Sequence, residues 1–481
     1  MMNTFRKAIL LSFAFWGFTT VGFGQLVGPP QTILVDGEAT KISTVLQNYI
    51  GIPSISGQEL EAGLFLQKIS EENGLYITPM GQTNGNFNFA ASIYPLEDSL
   101  PNIVFLNHID VVPTGDTLAW EYPAFSGALV DQEIWGRGAF DNKGVAITQL
   151  FAVLGFAQRY ASEPLPFNVS FLAVSCEETQ CAGGAKHVVT NYLEVLNPEV
   201  VIGEGPPGLK GVISRDPELP VFGISLAHKR SLWLRLDLSV AGIRHGAVTP
   251  SRYAGQEMAE ALARLLRQQR PVIYTDLNTD VLRQLGALEK GVRATALKHP
   301  RLFRPLLVPQ LRKTPELLAI FTNTLTLTRL ESEDVPVNAI PSRVTAWLDC
   351  RLLPHTDQEA FIRGLSRRLN HKEIQISIET AMPEQQVSDH QSPYFQYLSS
   401  AIKKNYKDAE VAYLLVPFAN DSGVFRNEGV PAYSSIPALI GRGYLETIHG
   451  PNERIPVAML EKTKATYVTF LENCVNGFGE N

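Results

Sequence analysis

The sequence predicts an α/β protein with a mainly parallel central sheet, interrupted by a ferredoxin-like βαββαβ domain. Three observations carry the prediction. Between about 100 and 205, short apolar runs alternate with helix-like segments, the pattern of strands joined by crossover helices. Beyond 225 the apolar residues fall into strict alternation, which marks strands with one buried face. Near 385 the first pattern returns. The chain is therefore expected to divide into a leader, 1–24, a main domain in two pieces, 25–224 and 382–481, and an inserted domain, 225–381.

The leader carries Arg6 and Lys7, then an apolar run over 8–23 and a small Gly24. This is the layout of a secretory signal peptide, and the run is short for a spanning helix, which needs about 20 apolar residues. Export is expected, without stable membrane insertion once the leader is removed; a tether through an uncleaved leader is the weaker reading. In the main domain, 103–106, 169–174 and 200–202 read as buried strands, with helices over 143–160 and 185–196 between them. In the insert, Leu232, Leu234, Leu236, Leu238 and Val240 alternate with polar residues, and a helix follows with Ala254, Met258, Ala261, Leu262 and Leu265 on one side. After an insertion of about fifty residues come strands over 324–330 and 343–352. Thr356 and Glu359 have the spacing of a capping box, and Ile374, Ile376 and Ile378 mark a last strand. The main domain resumes with strands over 412–416 and 431–434 and a final helix over 457–474.

The composition excludes several classes. With 481 residues, 45% hydrophobic and 19% charged, the chain is neither fibrous nor wholly disordered and has length for two or three cores. Its net charge of −7 becomes more negative without the leader's two basic residues. Such a balance is a poor match for phosphate backbones, and no nucleic-acid partner is expected. Four cysteines, Cys176, Cys181, Cys350 and Cys474, are too few for a disulfide framework and are expected to pack the core.

Each predicted strand of the first piece ends in a polar cluster: Asn107, His108 and Asp110; Ser175 to Glu178; Glu204 between two glycines. Strand ends of an open α/β sheet converge on the crevice where ligands bind, so clusters far apart in sequence can share one site. Zinc takes imidazole and carboxylate ligands and, when catalytic, keeps a position open for water. His108 and Asp110, two apart, point the same way on extended backbone, so the carboxylate can fix the imidazole tautomer. Asp141 follows two glycines that permit close approach before a helix begins. Adjacent Glu177 and Glu178 can face a metal and a reacting water separately. His187, His228, His299, His355, His371 and His390 read as ordinary surface or core residues.

These motifs resemble those of the dizinc hydrolases that include aminoacylase, carboxypeptidase G, carboxypeptidase S and succinyl-diaminopimelate desuccinylase. The resemblance rests on 106–113 (LNHIDVVP), 135–144 (WGRGAFDNKG), 175–178 (SCEE) with Gly183 and Gly184, and Gly203-Glu204-Gly205. It continues with 338–341 (NAIP), Asp349-Cys350-Arg351 and 447–453 (TIHGPNE), and covers nearly the whole chain after about residue 40 in the family's order. It implies two zinc ions per subunit bridged by Asp141, with His108 and Glu204 completing one site and Glu178 and His449 the other. Glu177 is then the general base and Asp110 the partner of His108, and the Asp141–Asn142 peptide is expected to be cis. The inserted domain becomes a lid and dimerisation domain, in which His245 matches a histidine that helps hold the oxyanion, often across a dimer interface; a homodimer is thus a candidate. Asn338 and Arg351 match positions that bind the substrate's carbonyl and carboxylate, although a surface salt bridge is the plain reading of Arg351.

The match loosens after His245, where Gly246 and Ala247 replace the family's small hydroxyl residues. Asp421-Ser422-Gly423 resembles a stretch near the substrate carboxylate; taken alone it reads as a turn. Within the family the long helical insertion with 299–305 (HPRLFRP), 322–329 (TNTLTLTR) and 443–449 (GYLETIH) look most like carboxypeptidase S and the secreted N-acyl amino acid hydrolases/synthases. Glu at position 204 is similar to relatives that cleave N-acyl amino acids or C-terminal residues. The expected function is thus an exported zinc-dependent amidohydrolase acting on N-acyl amino acids or short peptides. A dipeptidase reading a free amino terminus is the alternative, and a non-catalytic binding protein on the same fold is disfavoured because every matched position keeps a competent side chain.

Overall fold

The computed structural model describes residues 31–81, 85–241 and 244–478; the predicted leader lies outside the described residues. The main sheet has eight strands in the order Glu410–Val416, Val221–His228, Ala432–Ser434, Pro198–Gly203, Asn102–His108, Asn168–Val174, Phe89–Ser92 and Tyr76–Pro79. Its middle is parallel: Asn102–His108 pairs with Asn168–Val174 on one side and Pro198–Gly203 on the other. Antiparallel pairings close the Tyr76–Pro79 edge.

The central strands read as continuous apolar runs because both faces are covered. Ile103 and Phe105 point into one core, where Phe105 meets Tyr467 edge-on at 5.3 Å, while Val104 and Leu106 point into another with Val188 and Phe425. The helices Lys143–Arg159 and Val457–Phe478 line the first face; Ala185–Leu196 and Ser422–Asn427 line the second. Lys143–Arg159 is buried from Lys143 to Phe156, so its sequence lacks an amphipathic stripe.

The second sheet has the strand order Thr324–Ser332, Arg343–Leu352, Arg230–Ser239, Gln375–Ala381, antiparallel throughout, as a βαββαβ unit demands. The alternating leucines 232 to 238 face Met258, Leu262, Leu265, Leu365 and Leu369 of its two helices. Between Ala254–Arg267 and Thr324–Ser332, the insertion folds into short helices with a core of their own around Leu282, Leu297 and Phe321. Its helix Asp276–Leu288 sits on the outermost strand of the main sheet, where the Gln284 side chain exchanges hydrogen bonds with the Tyr413 backbone, 3.0 Å in each direction. An open sheet edge is thereby occupied.

Three local expectations need correction. The cap of Gln358–Leu369 is Asp357, whose carboxylate accepts from the Ala360 amide at 2.9 Å; the Thr356 hydroxyl turns instead to Asn323. Ile374 is buried just ahead of the last lid strand, whereas Ile378 is 49% exposed, so the apolar face fades along this edge strand. Only Cys350 and Cys474 pack the core; Cys176 and Cys181 form a disulfide, because a short turn folds back and brings their side chains together.

Candidate metal centre

The register of the parallel strands places their carboxyl ends level: His108 lies opposite Val174, and Glu204 follows the neighbouring strand. His108 closes one strand, Glu177 and Glu178 sit in the turn after the second, and Glu204 follows the third. Asp141 enters from the segment ahead of Lys143–Arg159, and its peptide to Asn142 is cis. His449 comes from a loop ahead of the last helix with a φ of 61°, backbone that a non-glycine residue holds only where its surroundings impose it.

Two ligand-type groups result, sharing Asp141: one of His108, Asp141 and Glu204, the other of Asp141, Glu178 and His449. His108 Nε2 stands 3.2 Å from Asp141 Oδ1 and 3.3 Å from Glu204 Oε2. His449 Nε2 stands 3.3 Å from Asp141 Oδ2 and 3.2 Å from Glu178 Oε1. A tetrahedral zinc bound at 2.0–2.1 Å requires ligand atoms about 3.3 Å apart, so these spacings fit the ion. Glu178 Oε1 is buried and has no hydrogen bond despite facing His449, as expected of two ligand atoms aimed at a common third point.

The electrostatics agree. Burial disfavours protonation of His108, but the Glu204, Asp110 and Asp141 carboxylates outweigh it and hold its pKa well above the usual imidazole range. His449, faced at close range by the Asp141 and Glu178 carboxylates, is raised to about 10. Burial, with mutual repulsion, raises Glu177 well above the carboxylate norm and brings Glu204 and Asp421 to about 7. The pocket therefore draws protons onto both imidazoles and onto Glu177, Glu204 and Asp421, whereas Asp141, despite its burial, is held well below the carboxylate range by His108 and His449.

Behind the ligands lies a layer that fixes them. His108 Nδ1 donates to the Asp110 backbone carbonyl at 2.9 Å, with the Asp110 carboxylate farther off at 3.5 Å. That carboxylate instead accepts from the amides of Glu177 (3.0 Å) and Glu178 (3.2 Å) and the Ser56 hydroxyl (2.6 Å). Asp110 thus fixes the imidazole mainly through its carbonyl, and its side chain holds the two-glutamate turn. The Cys176–Cys181 disulfide brackets that same turn.

Two residues that the sequence reading gave no role are held in buried networks near the site. Glu453 is fully buried and accepts from the amides of Gly138, Phe140 and Asp141 and from Arg137 Nη1 at 2.7–3.0 Å. It ties the His449 loop to the Asp141 loop. His228, read from sequence as ordinary, ends a main-sheet strand and is completely buried, with an unpartnered Nε2. Its Nδ1 donates to the Lys229 carbonyl at 3.0 Å, and burial together with the Arg426 and Arg351 charges lowers its pKa to about 3. A Cβ on Gly423 would come within 2.0 Å of its Nε2. A lone histidine with no ligand spacing offers no sequence signal for such a place.

The cleft beside Glu177 holds about 10 Å³, room for one water, and is lined by Leu106, His108, Asn142, Glu204, Asp421 and Ser422 among others. Asp421 is thus at the site. The three residues expected from the inserted domain are not among the described lining residues. His245 is exposed on a two-residue ribbon paired with Ala339, Asn338 is exposed beside it, its carbonyl accepting from Gly246, and Arg351 is engaged bidentately by Asp349 (2.8 and 3.0 Å) and by Ser231.

A crevice at parallel strand ends with paired carboxylate and imidazole groups about a shared aspartate defines a metal-dependent hydrolase of the peptidase class. The sequence profile of peptidase family M20/M25/M40 matches residues 104–473, and the chain belongs to that family, whose members are metal-dependent hydrolases of peptide-like amide bonds. It is similar to a probable carboxypeptidase S-like protein of Dictyostelium discoideum, 24% identical over 394 residues, covering 81% of this chain and 74% of the relative. It is also similar to the N-fatty-acyl-amino acid synthase/hydrolase of Xenopus tropicalis, 25% identical over 453 residues, covering 92% and 87%. Among solved structures, the M20 family metallo-carboxypeptidase of Sulfolobus solfataricus superposes with a TM-score of 0.69 at 20% identity, covering 91% of this chain and all of that one.

Proposed function

We propose that the protein is an exported dizinc hydrolase that cleaves N-acyl amino acids or the C-terminal residue of short peptides. The observation that carries this reading is Asp141 shared between two ligand groups with Glu177 beside them. His108, Asp141 and Glu204 would hold one ion, and Asp141, Glu178 and His449 the other. When bound, the two ions polarise the scissile carbonyl and lower the pKa of a water. Glu177 accepts a proton from the attacking water on its carboxylate. As oxygen adds to the carbonyl carbon and the C–N bond breaks, it returns that proton to the leaving nitrogen, giving a carboxylic acid and an amine. The burial of Glu177, which raises the carboxyl's proton affinity, suits a group that takes up a proton and hands it on.

His245, Asn338 and Arg351 are assigned to substrate contacts from the inserted domain, and a homodimer through that domain would bring a second copy's residues toward the cleft. The substrate class rests on the two relatives' names and on Glu204. Export is supported by the leader's composition and by the Cys176–Cys181 disulfide, a bond rare in reducing compartments. Metal analysis after zinc-replete purification should give two equivalents per chain, and Glu177→Ala should keep both while losing about a hundredfold or more in kcat. Less than one equivalent of zinc, or an unaffected kcat, refutes the mechanism. Faster turnover of free dipeptides than of N-acyl amino acids across a substrate panel overturns the substrate class.

A further inference from the structure

We propose that the inserted domain carries a second binding site, for an amphipathic oxyanion: a carboxylate or phosphate borne on an apolar chain. A cavity of about 490 Å³ opens between the helix Gln358–Leu369 and the segment 268–271 that leads into the helical insertion, a size typical of small-molecule sites. Arg270, Arg367 and Arg368 all line it, and none of the described residues lining it is acidic. Several other arginines of this domain show the contrast. Arg252 pairs with Glu257 and Glu373, Arg343 with Asp237, and Arg351 with Asp349.

Arg270 and Arg368 are partly buried, and burial lowers the pKa of each from the usual arginine range; the Arg368 charge pushes Arg270 further down, and no carboxylate counters either effect. Half-buried like charges without a counter-ion are costly, and a bound oxyanion relieves both the lost hydration and the repulsion. The donors are there to hold it. Each guanidinium has five N–H groups; Arg270 gives one to the Leu325 carbonyl, Arg367 Nε one to Arg363 at 3.4 Å, and Arg368 Nε one to Gly364 at 3.3 Å.

Beside the polar Gln268, Gln269 and Asn323, the wall carries an apolar stretch of Pro271, Leu325, Ala360 and Phe361. Phe361 and Leu325 face the cavity, and the Cβ position of Gly364 has no atom within 4 Å. A bare anion would leave that wall wet, so the fitting ligand carries a hydrocarbon segment beside its charge. The site is independent of the chemistry at Glu177 and lies in a domain that supplies none of the metal-type ligands.

The test is calorimetric titration of the zinc-replete full-length mature chain with dodecanoate, dodecyl phosphate, inorganic phosphate and dodecanol, each below its micellar range. The tighter of the two charged amphiphiles identifies the headgroup. Two variants are compared with the wild type: Arg367→Gln combined with Arg368→Gln, which removes charge, and Gly364→Phe, which fills the space. Each should weaken one equivalent of amphiphile binding by about tenfold or more while zinc content and hydrolytic rate stay unchanged. Any binding at the metal cleft persists in both variants and is thereby told apart. Wild-type binding in both variants overturns the proposal, as does dodecanol binding as tightly as dodecanoate, inorganic phosphate as tightly as its dodecyl ester, or no saturable binding at all.

Discussion

Glu453→Gln asks whether the metal-type site is held from behind. In the native chain, Glu453 Oε1 accepts from the Phe140 and Asp141 amides at 2.9 and 3.0 Å, and Oε2 accepts from the Gly138 amide at 3.0 Å and Arg137 Nη1 at 2.7 Å. Burial pushes this carboxyl's pKa up, yet all four contacts are donors, and only the ionised form accepts from all of them. A glutamine amide keeps one acceptor atom and replaces the other with a donor. In one orientation two backbone N–H groups lose their partner, at about 1–3 kcal/mol each. In the other, the Gly138 amide and Arg137 face an NH2, and breaking a buried ion pair costs about 3–5 kcal/mol. Since the counter-charge to Arg137 is lost either way, the net destabilisation should be about 3–5 kcal/mol, moderated by Arg137 lying 5.2 Å from the Trp120 ring centroid. The Asp141 amide is one of the four donors, so the carboxylate shared by the two ligand groups loosens too. Zinc affinity should fall about 10–100-fold, as when other groups that orient metal ligands are removed. Urea unfolding gives the first quantity and chelator competition the second. A variant within about 0.5 kcal/mol of wild type, the range of a neutral surface change, with unaltered zinc affinity, refutes the clamp.

Cys181→Ser opens the loop that carries Glu177 and Glu178. The bridge closes a sequence separation of five, so the chain-entropy account assigns it about 2 kcal/mol; kcat should fall more than KM rises, and equal kinetics would show that Asp110 alone sets the turn. His228 should make stability acid-sensitive. Its folded pKa of about 3 lies below the unfolded value of 6.5, so the unfolded chain binds the extra proton first, and the contribution present above pH 6.5 is lost as pH falls toward 3. Between pH 7 and 5 this group should remove about 2 kcal/mol, so the stability gap between wild type and His228→Gln should narrow by that much; a gap constant with pH rejects the neutral, buried imidazole.

The sequence made the scaffold legible where burial imposes a period. The alternating leucines of Arg230–Ser239 and the apolar runs at 103–106 and 169–174 sit where their patterns require. Metal chemistry and the strand ends of an α/β sheet single out His108, Asp141, Glu177, Glu178 and Glu204 as candidates, but the full ligand set, His449 included, was legible only through the family resemblance. Less visible was whatever depends on partners distant in sequence. The bond from Glu453 to Phe140 spans 313 residues, and no local pattern around Glu453 announces it. The disulfide was missed because counting cysteines judges a framework, whereas Cys176 and Cys181 form one local staple around a turn. The turn's direction is set by Asp110, 67 residues earlier than Glu177.

The distribution of roles follows from a conflict within the site. Glu177, Glu204 and Asp421 crowd a cleft that holds one water, Asp141 and Glu178 stand in the adjoining ligand groups, and burial makes each charge more costly. Side-chain cations placed there to neutralise them would occupy the ligand atoms. The structure instead places its compensation one step back, in backbone N–H groups and in carboxylates that orient rather than bind. Asp110 accepts from the Glu177 and Glu178 amides, and Glu453 from the Asp141 amide. Asp110 thereby adds negative charge behind a site already rich in it, which raises the pull on a cation in front, while Glu453, paired with Arg137, acts by fixing the Asp141 loop. Rigidity and metal affinity are then two results of the same hydrogen bonds, and a substitution at Asp110 or Glu453 cannot weaken one without the other.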